Sequence, residues 1–198
     1  MIRHRLPAGF ATCALLLGTG CGNPCIDGRP RTEAALSSAR EARADLYALR
    51  ELRQAEESSR QADEECRRQS SHLAVFRSYR LAEALFDGAQ RGAEGAREKA
   101  KIGQGLARQE AFNARYIAGM AVNEALVALR RAKEMKGNAW ARVMVGRLDG
   151  LRLALGELQK RIDAEDYLAA RELGEKIQAE AVRLQADANR MALPAGPR

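Results

Sequence analysis

Four cysteines, at positions 13, 21, 25 and 66, are the residues of this chain whose side chains could most directly do chemistry. A thiol can be acylated, can bind a metal ion, or can pair with another thiol in a disulfide. The histidines are His4 and His72, and one histidine in the body of the chain cannot make a typical zinc site. The cysteines therefore indicate anchoring or cross-linking, and no metal site is predicted.

The remaining residues do not have the spacing of a catalytic site. A serine hydrolase needs a base, which only His72 could supply, and no nucleophile-elbow motif is present. The glycines of residues 103–109 lack the lysine and the preceding strand of a phosphate loop. A carboxylate pair such as Asp163 and Asp166 is explained by helix capping. We expect no catalytic residue and no cofactor, and the protein is not predicted to be an enzyme.

The first 20 residues have the layout of a secretory signal peptide. Arg3 and Arg5 form a short positive region, and an apolar run over residues 10–17 is followed by small residues that lead into Cys21. The apolar run is shorter than the roughly 20 residues that a membrane-spanning helix needs. Two other readings are a cleaved signal followed by free cysteines, and an unprocessed N-terminal tail.

The sequence "LGTGC" that ends at Cys21 resembles the lipobox of bacterial lipoproteins, although Gly18 stands where leucine is usual and Leu17 lies one place earlier. The resemblance implies that Cys21 carries diacylglycerol and that residues 1–20 are removed. Because Gly22 rather than aspartate follows the cysteine, it implies anchoring in the outer membrane, facing the periplasm, rather than retention in the inner membrane. Several acyl chains on one residue give stable anchoring.

The composition favours closely packed helices with a solvated surface. Aromatic residues make up 5% of the chain, so a core must be built largely from alanine and leucine. The net charge is +7, but basic residues alternate with acidic ones and form no dense patch. We expect no nucleic-acid partner, and lipid headgroups or cell-wall polymers are the natural anionic neighbours of an exported chain.

The body of the chain, residues 32–192, is predicted to be all-α, as elongated antiparallel helical hairpins or a bundle. No proline occurs between Thr32 and Met191. Two apolar stripes have helical spacing, and breaks are expected at Ser70-Ser71, at residues 136–138 and near Asp163. The stripes comprise Met144, Leu148, Leu151, Leu155, Leu158 and Ile162, and then Ala170, Leu173, Ile177, Ala181, Leu184, Ala188 and Met191. Residues 21–31 are predicted to be a linker and residues 193–198 a disordered tail.

A duplicated helical unit is also predicted, with repeats at 32–107 and 108–192. Matching segments recur at offsets of 88 to 90 residues, as between Leu36 and Leu126 and between Tyr79 and Tyr167. The glycine-rich stretch of residues 88–105 is expected to let another helix approach closely, and a hinge at residues 103–105 is the alternative there.

The segments "ALSSAREARADLYALRELRQAEES" and "DAEDYLAARELGEKIQAEA", behind a lipobox, resemble small alanine-rich helical lipoproteins of Gram-negative bacteria. The resemblance implies an envelope role among other envelope proteins or peptidoglycan, and it supplies no catalytic residues. We expect a non-catalytic, membrane-anchored scaffold. The alternative is a binding module for cell-wall polymer or anionic lipid. Trp140 and Tyr167 could form part of a sugar- or peptide-binding surface, but a single tryptophan at a helix start is more often a packing anchor.

Cys25 and Cys66 are expected to form a disulfide, since an exported protein meets an oxidising compartment and they are the thiols left after processing. If residues 32–69 form one straight helix, Cys66 lies about 50 Å from Thr32, beyond the reach of the linker. The bond would then join two chains in a homodimer. If the chain turns near Asp45, the bond can form within one chain. The repeat favours the turn, as residues 137–138 turn the second repeat. Local signals favour the straight helix, because no glycine or proline lies near Asp45, and we expect the straight helix.

The Cys21→Ala variant is expected to be released from membranes, because the acyl chains are attached at this residue. Membrane fractionation and incorporation of labelled palmitate measure the two consequences separately. If both are unchanged in the variant, Cys21 is not the anchor.

Overall fold

The computed structural model describes residues 24–136 and 138–192, and these residues are almost entirely helical. The predicted all-α fold of packed hairpins is confirmed. The helices are α1 (Pro24–Glu41), α2 (Ala44–Tyr47), α3 (Leu49–Ser70), α4 (Arg80–Lys136), α5 (Asn138–Asp163) and α6 (Tyr167–Ala192), with a 3-10 turn at Ala74–Phe76. The predicted signal peptide, Cys21 and the C-terminal tail lie outside the described residues. No helix in the described part is long and apolar enough to cross a bilayer.

Helix α4 is the long central helix against which the other helices pack. Its 57 residues extend over about 85 Å at 1.5 Å per residue. Helices α1 and α3 pack on its first half, around Ala93, Ala96 and Ala100, and helices α5 and α6 pack on its second half, around Ala118 and Ala125. The result is two three-helix units placed end to end along one continuous helix.

Small side chains let the helices approach closely at specific points. A Cβ atom added at Gly92 would lie 3.2 Å from the Cβ of Ala55, and one added at Gly103 would lie 3.0 Å from the Cβ of Tyr47. The glycine-rich stretch therefore does admit neighbouring helices, but only where glycine faces them, since Gly88 and Gly95 face open space. Helix α4 is continuous through residues 103–105, so the structure has no break at the alternative hinge.

The straight helix expected over residues 32–69 is wrong, because the chain turns between α1 and α3. Arg43 adopts a left-handed conformation with φ of 61°, and its amide donates to the carbonyl of Arg40. Ala44 and Ala48 become buried against α4 as a result. Burial of these side chains outweighs the local preference for an uninterrupted helix and the cost of left-handed arginine, which is of order 1–2 kcal/mol.

Tyr47 lies where the two units meet and packs against both of their cores. Partial burial raises the pKa of its hydroxyl, and Arg43 on its own turn opposes this increase. Glu165, in the turn between α5 and α6, also adopts a left-handed conformation with φ of 59°. The amide of Asp166 donates there to the carbonyl of Arg161, a bond that closes the end of α5.

The linker predicted at residues 21–31 is partly wrong, because residues from Pro24 onwards belong to α1 and Pro30 lies inside the helix. Tertiary contacts hold this first part of α1. A Cβ atom added at Gly28 would lie 2.9 Å from the Phe86 ring, and the Thr32 hydroxyl donates to the carbonyl of Phe86. Packing on α4 therefore compensates for the hydrogen bond that Pro30 cannot donate.

A disulfide joins Cys25 to Cys66 within one chain, with 5.9 Å between the two Cα atoms. The turn near Arg43 brings α3 back beside α1, which makes the bond possible. The expectation that this bond joins two chains is therefore wrong. The disulfide closes a stretch of 41 residues and ties the beginning of α1 to the end of α3.

The two units bury corresponding positions. In the last helix of each unit the buried residues are 88 positions apart: Ala82 and Ala170, Ala89 and Ile177, Ala93 and Ala181, Ala96 and Leu184, and Ala100 and Ala188. In α3 and α5 the offset is 96: Leu52 and Leu148, Ala55 and Leu151, Ala62 and Leu158, and Cys66 and Ile162. The segment between these helices is therefore eight residues longer in the first unit. The duplication itself stays a prediction.

Pairs of charged residues cross between helices at the surface. The Lys99 ammonium donates to the Glu51 carboxylate at 2.8 Å, and this bond, with help from Arg50, lowers the pKa of Glu51 to about 2. Arg147 on α5 donates to Glu180 and Asp187 on α6, which raises the pKa of its guanidinium. Exposed pairs of this kind contribute about 0–1 kcal/mol each, so they supplement the packing between the helices.

Removing the disulfide should weaken the first unit without changing the oligomeric state. We expect the Cys66→Ser variant to lose about 2–4 kcal/mol of unfolding free energy, because the unfolded chain regains the freedom of the closed loop. Urea denaturation measures the loss. Cys25→Ser is the matched control and should lose a similar amount. A wild-type dimer in non-reducing electrophoresis that disappears in Cys66→Ser would contradict the intrachain bond.

The Gly174→Ala variant tests the close approach of α6 to α4. An added Cβ would lie 2.8 Å from the Cβ of Ala114 and 3.1 Å from Leu158 Cδ1, so we expect a loss of about 1–3 kcal/mol in unfolding free energy. Gly150→Ala is the control, because nothing lies within 4 Å of its added Cβ, and it should gain about 0.5–1 kcal/mol. Equal gains in both variants would mean that the helices are not in contact at Gly174.

Candidate functional site

An exposed apolar stripe runs along the second half of α4, on a different side from its buried alanines. Its members are spaced so that they share one side of the helix, and each is exposed: Ile102, Leu106, Phe112, Tyr116, Ile117, Met120 and Val127. We call this the α4 stripe. A helix that has already buried one face in its own bundle and keeps a second apolar side in solvent is available for another partner.

The stripe borders a groove between α4 and α5, which we call the α4–α5 groove. It has a volume of about 530 Å³ and is lined by Phe112, Arg115, Tyr116, Gly119, Met120, Asn123, Leu155, Gly156 and Gln159. Helix α4 packs more extensively on α6 than on α5, which leaves this side open. Gly119 and Gly156 face open space, so the backbone of both helices is accessible there.

The polar groups at the groove are few and specific. Gln159 donates from Nε2 to Asp163 at 2.6 Å, while its Oε1 is buried and accepts no hydrogen bond from the described residues. Arg115 has no ion-pair partner in the described part of the chain. The Arg108 guanidinium lies 5.8 Å from the centroid of the Phe112 ring, which is a cation–π distance. The groove is therefore apolar, with a positive edge and one unused acceptor.

The residues that the sequence singled out lie elsewhere. Cys21 is outside the described residues. Cys25 and Cys66 form the disulfide near the N-terminal end of α4, away from the groove. His72 is exposed in the loop after α3. Asp163 accepts from Gln159 and Asp166 pairs with Arg161, so both carboxylates support the turn between α5 and α6.

The interpretation of Trp140 as a packing anchor is confirmed, because it is half-buried and packs on the core from the start of α5. Tyr167 is buried in the same core. It begins α6, so the length of α5, about 39 Å, separates the two residues. The alternative, a binding surface built from both, is therefore wrong.

The α4 stripe was missed because the alanine pattern of the same helix dominates the sequence. Its signal is present nevertheless. Ile102, Leu106, Tyr116, Met120 and Val127 fall on alternating steps of four and three residues, and the polar Gln109, Asn113 and Asn123 occupy the other three positions of that series. Apolar residues at such positions are typical of a helix that packs against another helix along a seam, and the polar ones interrupt this signal.

Comparison with known proteins gives no identity. No protein-family model matches the chain, and no curated protein or solved structure matches it either.

Proposed function

We propose that the protein is a non-catalytic lipoprotein of the bacterial envelope, anchored at Cys21 in the outer membrane, that holds an amphipathic helix of another envelope protein in the α4–α5 groove. The observation that carries this proposal is the exposed α4 stripe beside that groove. A scaffold needs a surface that its own fold leaves unpartnered, and the stripe is such a surface.

The chemistry of the groove selects the kind of partner. Five members of the α4 stripe fall on the alternating steps of four and three residues at which side chains of a second helix interlock: Ile102, Leu106, Tyr116, Met120 and Val127. Gln109, Asn113 and Asn123 occupy the remaining positions of this seam, and polar residues there favour one register of a helix pair at a cost in stability. Arg115 lines the groove and Arg108 stands near it, so acidic side chains flanking the apolar stripe of the partner would be favoured.

The pairing of the ionisable groups on the helix surface supports association with a partner rather than catalysis. Many carboxylates pair with arginine or lysine on the helix surface, as Glu110 does with Arg171 and Glu51 with Lys99. Within the described residues no three His, Cys, Asp or Glu side chains are arranged to hold a metal ion. His72, the histidine of this part, lies in the loop before α4 rather than at the groove.

Site-specific photocrosslinking from the groove tests the proposal in envelope preparations. A photoreactive residue in place of Tyr116, whose side chain is 70% exposed, should capture one defined protein. Leu153 on α5 is the matched control, because it is 78% exposed but does not line the groove. Equal capture at both positions, or capture at neither with retention on purified peptidoglycan, would contradict the helix-binding role and favour a cell-wall binding module.

The Met120→Glu variant should abolish the crosslink from position 116, because a carboxylate in the apolar seam is desolvated by the partner. Its unfolding free energy should change by less than about 0.5 kcal/mol, since Met120 is exposed. Leu153→Glu provides the control with the same charge change. If Met120→Glu retains the full crosslink, the partner does not lie along the stripe.

A further inference from the structure

A second exposed apolar group lies in the loop between α3 and α4, residues 71–79, which we call the apical loop. Leu73, Val75 and Phe76 are 73%, 81% and 73% exposed. Three large apolar side chains this exposed within four residues are unusual for a surface that faces only water.

The apical loop is held in place by polar contacts of its own. Arg77 donates from Nε to the carbonyl of His72 at 3.0 Å and from Nη2 to the carbonyl of Ser70 at 3.1 Å. The amide of Ser78 donates to Gln69 Oε1 at 3.0 Å. The apolar side chains therefore project from a braced turn, and they do not fold back onto the bundle.

The loop and its flanks carry basic residues with no acidic residue between them. Residues 66–82 contain four arginines and no aspartate or glutamate, and they lie between the acidic residues 63–65 and Glu83. Arg68 pairs with Glu65, but Arg67 and Arg80 are exposed and have no ion-pair partner within residues 24–136 and 138–192. Apolar side chains flanked by unpaired arginines match the chemistry of an anionic lipid surface.

The disulfide places the N-terminal end of α1 at the same end of the molecule. Cys25 is bonded to Cys66, which lies five residues before the apical loop. Cys21 is four residues from Cys25, so their Cα atoms are at most about 14 Å apart. An acyl chain on Cys21 would therefore enter its bilayer at the same end of the molecule as Leu73, Val75 and Phe76.

We propose that the apical loop inserts Leu73, Val75 and Phe76 into the headgroup region of the phospholipid layer that holds the N-terminal lipid, with Arg67 and Arg80 on anionic phosphates. This inference rests on the proposed anchoring at Cys21 and adds a second, protein-borne contact. One flexible attachment leaves the orientation of the molecule free, whereas two attachments at one end restrict it. The occupant of the loop is the lipid surface, and not a second copy of the chain or another protein.

Tryptophan fluorescence on the full, mature chain in vesicles of phosphatidylethanolamine and phosphatidylglycerol tests this contact. Trp140 is the sole tryptophan and lies at the other end of α4 from the loop. Its emission in the unaltered chain should not change when vesicles are added, which makes that chain the control. In a Trp140→Phe background, Phe76→Trp is expected to shift its emission to the blue and to be quenched by brominated acyl chains. Val75→Trp is the second reporter, and Leu153→Trp is the exposed control that should remain unquenched.

The arginines are tested with the Arg67→Gln and Arg80→Gln changes combined. Quenching at position 76 should fall in vesicles that contain phosphatidylglycerol, and raised salt should reduce it in the parent. Circular dichroism checks that the helices are retained. No dependence on salt or on these arginines would overturn their assigned role.

The outcomes separate the two proposals. If the chain carries its lipid but tryptophans at 75 and 76 stay unquenched, the loop does not contact the membrane, and the proposed anchor at Cys21 is unaffected. A chain that carries no lipid removes the anchor, and added vesicles then test the loop on the same protein. A blue shift without vesicles that is lost on dilution would assign the loop to a second copy and overturn the inference.

Discussion

The fold depends on the closeness with which small side chains let two hairpins approach one long helix. The buried positions along α4 are mostly alanine, and Cβ atoms added at Gly92, Gly103 and Gly174 would lie 3.2, 3.0 and 2.8 Å from a neighbouring side chain. Each such contact buries little apolar area, and the free energy gained is about 25 cal/mol per Å². Stability must therefore come from many contacts repeated along the whole helix, so no small part of the interface can be lost without weakening its unit.

Close packing of small residues constrains distance better than it constrains register, because alanine surfaces are smooth. Features with more directional geometry supply the register. The disulfide ties the first hairpin together, the large buried side chains of Leu148, Leu158 and Ile177 pack in the second, and Tyr47 packs against both cores at the middle of the molecule. The α4 stripe is a second apolar side of this helix, and neither hairpin covers it.

The sequence predicts the second unit better than the first, for physical reasons. Leu148, Leu158 and Ile177 are large and regularly spaced, so their stripes identify α5 and α6 and imply a covering helix. The turn at Arg43 has no local signal, because it forms to bury Ala44 and Ala48 against a helix distant in sequence. Pro30 lies inside α1 although proline normally argues against a helix interior, because packing on Phe86 holds this part of the helix.

The candidate site was only partly predictable. The spacing of Ile102, Leu106, Tyr116 and Met120 is visible in the sequence, but its exposure follows from which face the alanines bury. The groove depends on how far α5 stands from α4, which no local pattern encodes. The apical loop follows the break that the sequence predicts at Ser70-Ser71, yet its position beside Cys25 follows from the disulfide.

The continuity of α4 has a mechanical consequence. Two units joined by a flexible linker would sample many separations, but a helix without interruption fixes its length through the number of its residues. From Arg80 to Tyr116 is 36 residues, or about 54 Å along the axis. In a molecule held at its apical end, the groove would thus stay at a constant distance from that end along α4, set by the number of helical turns between them.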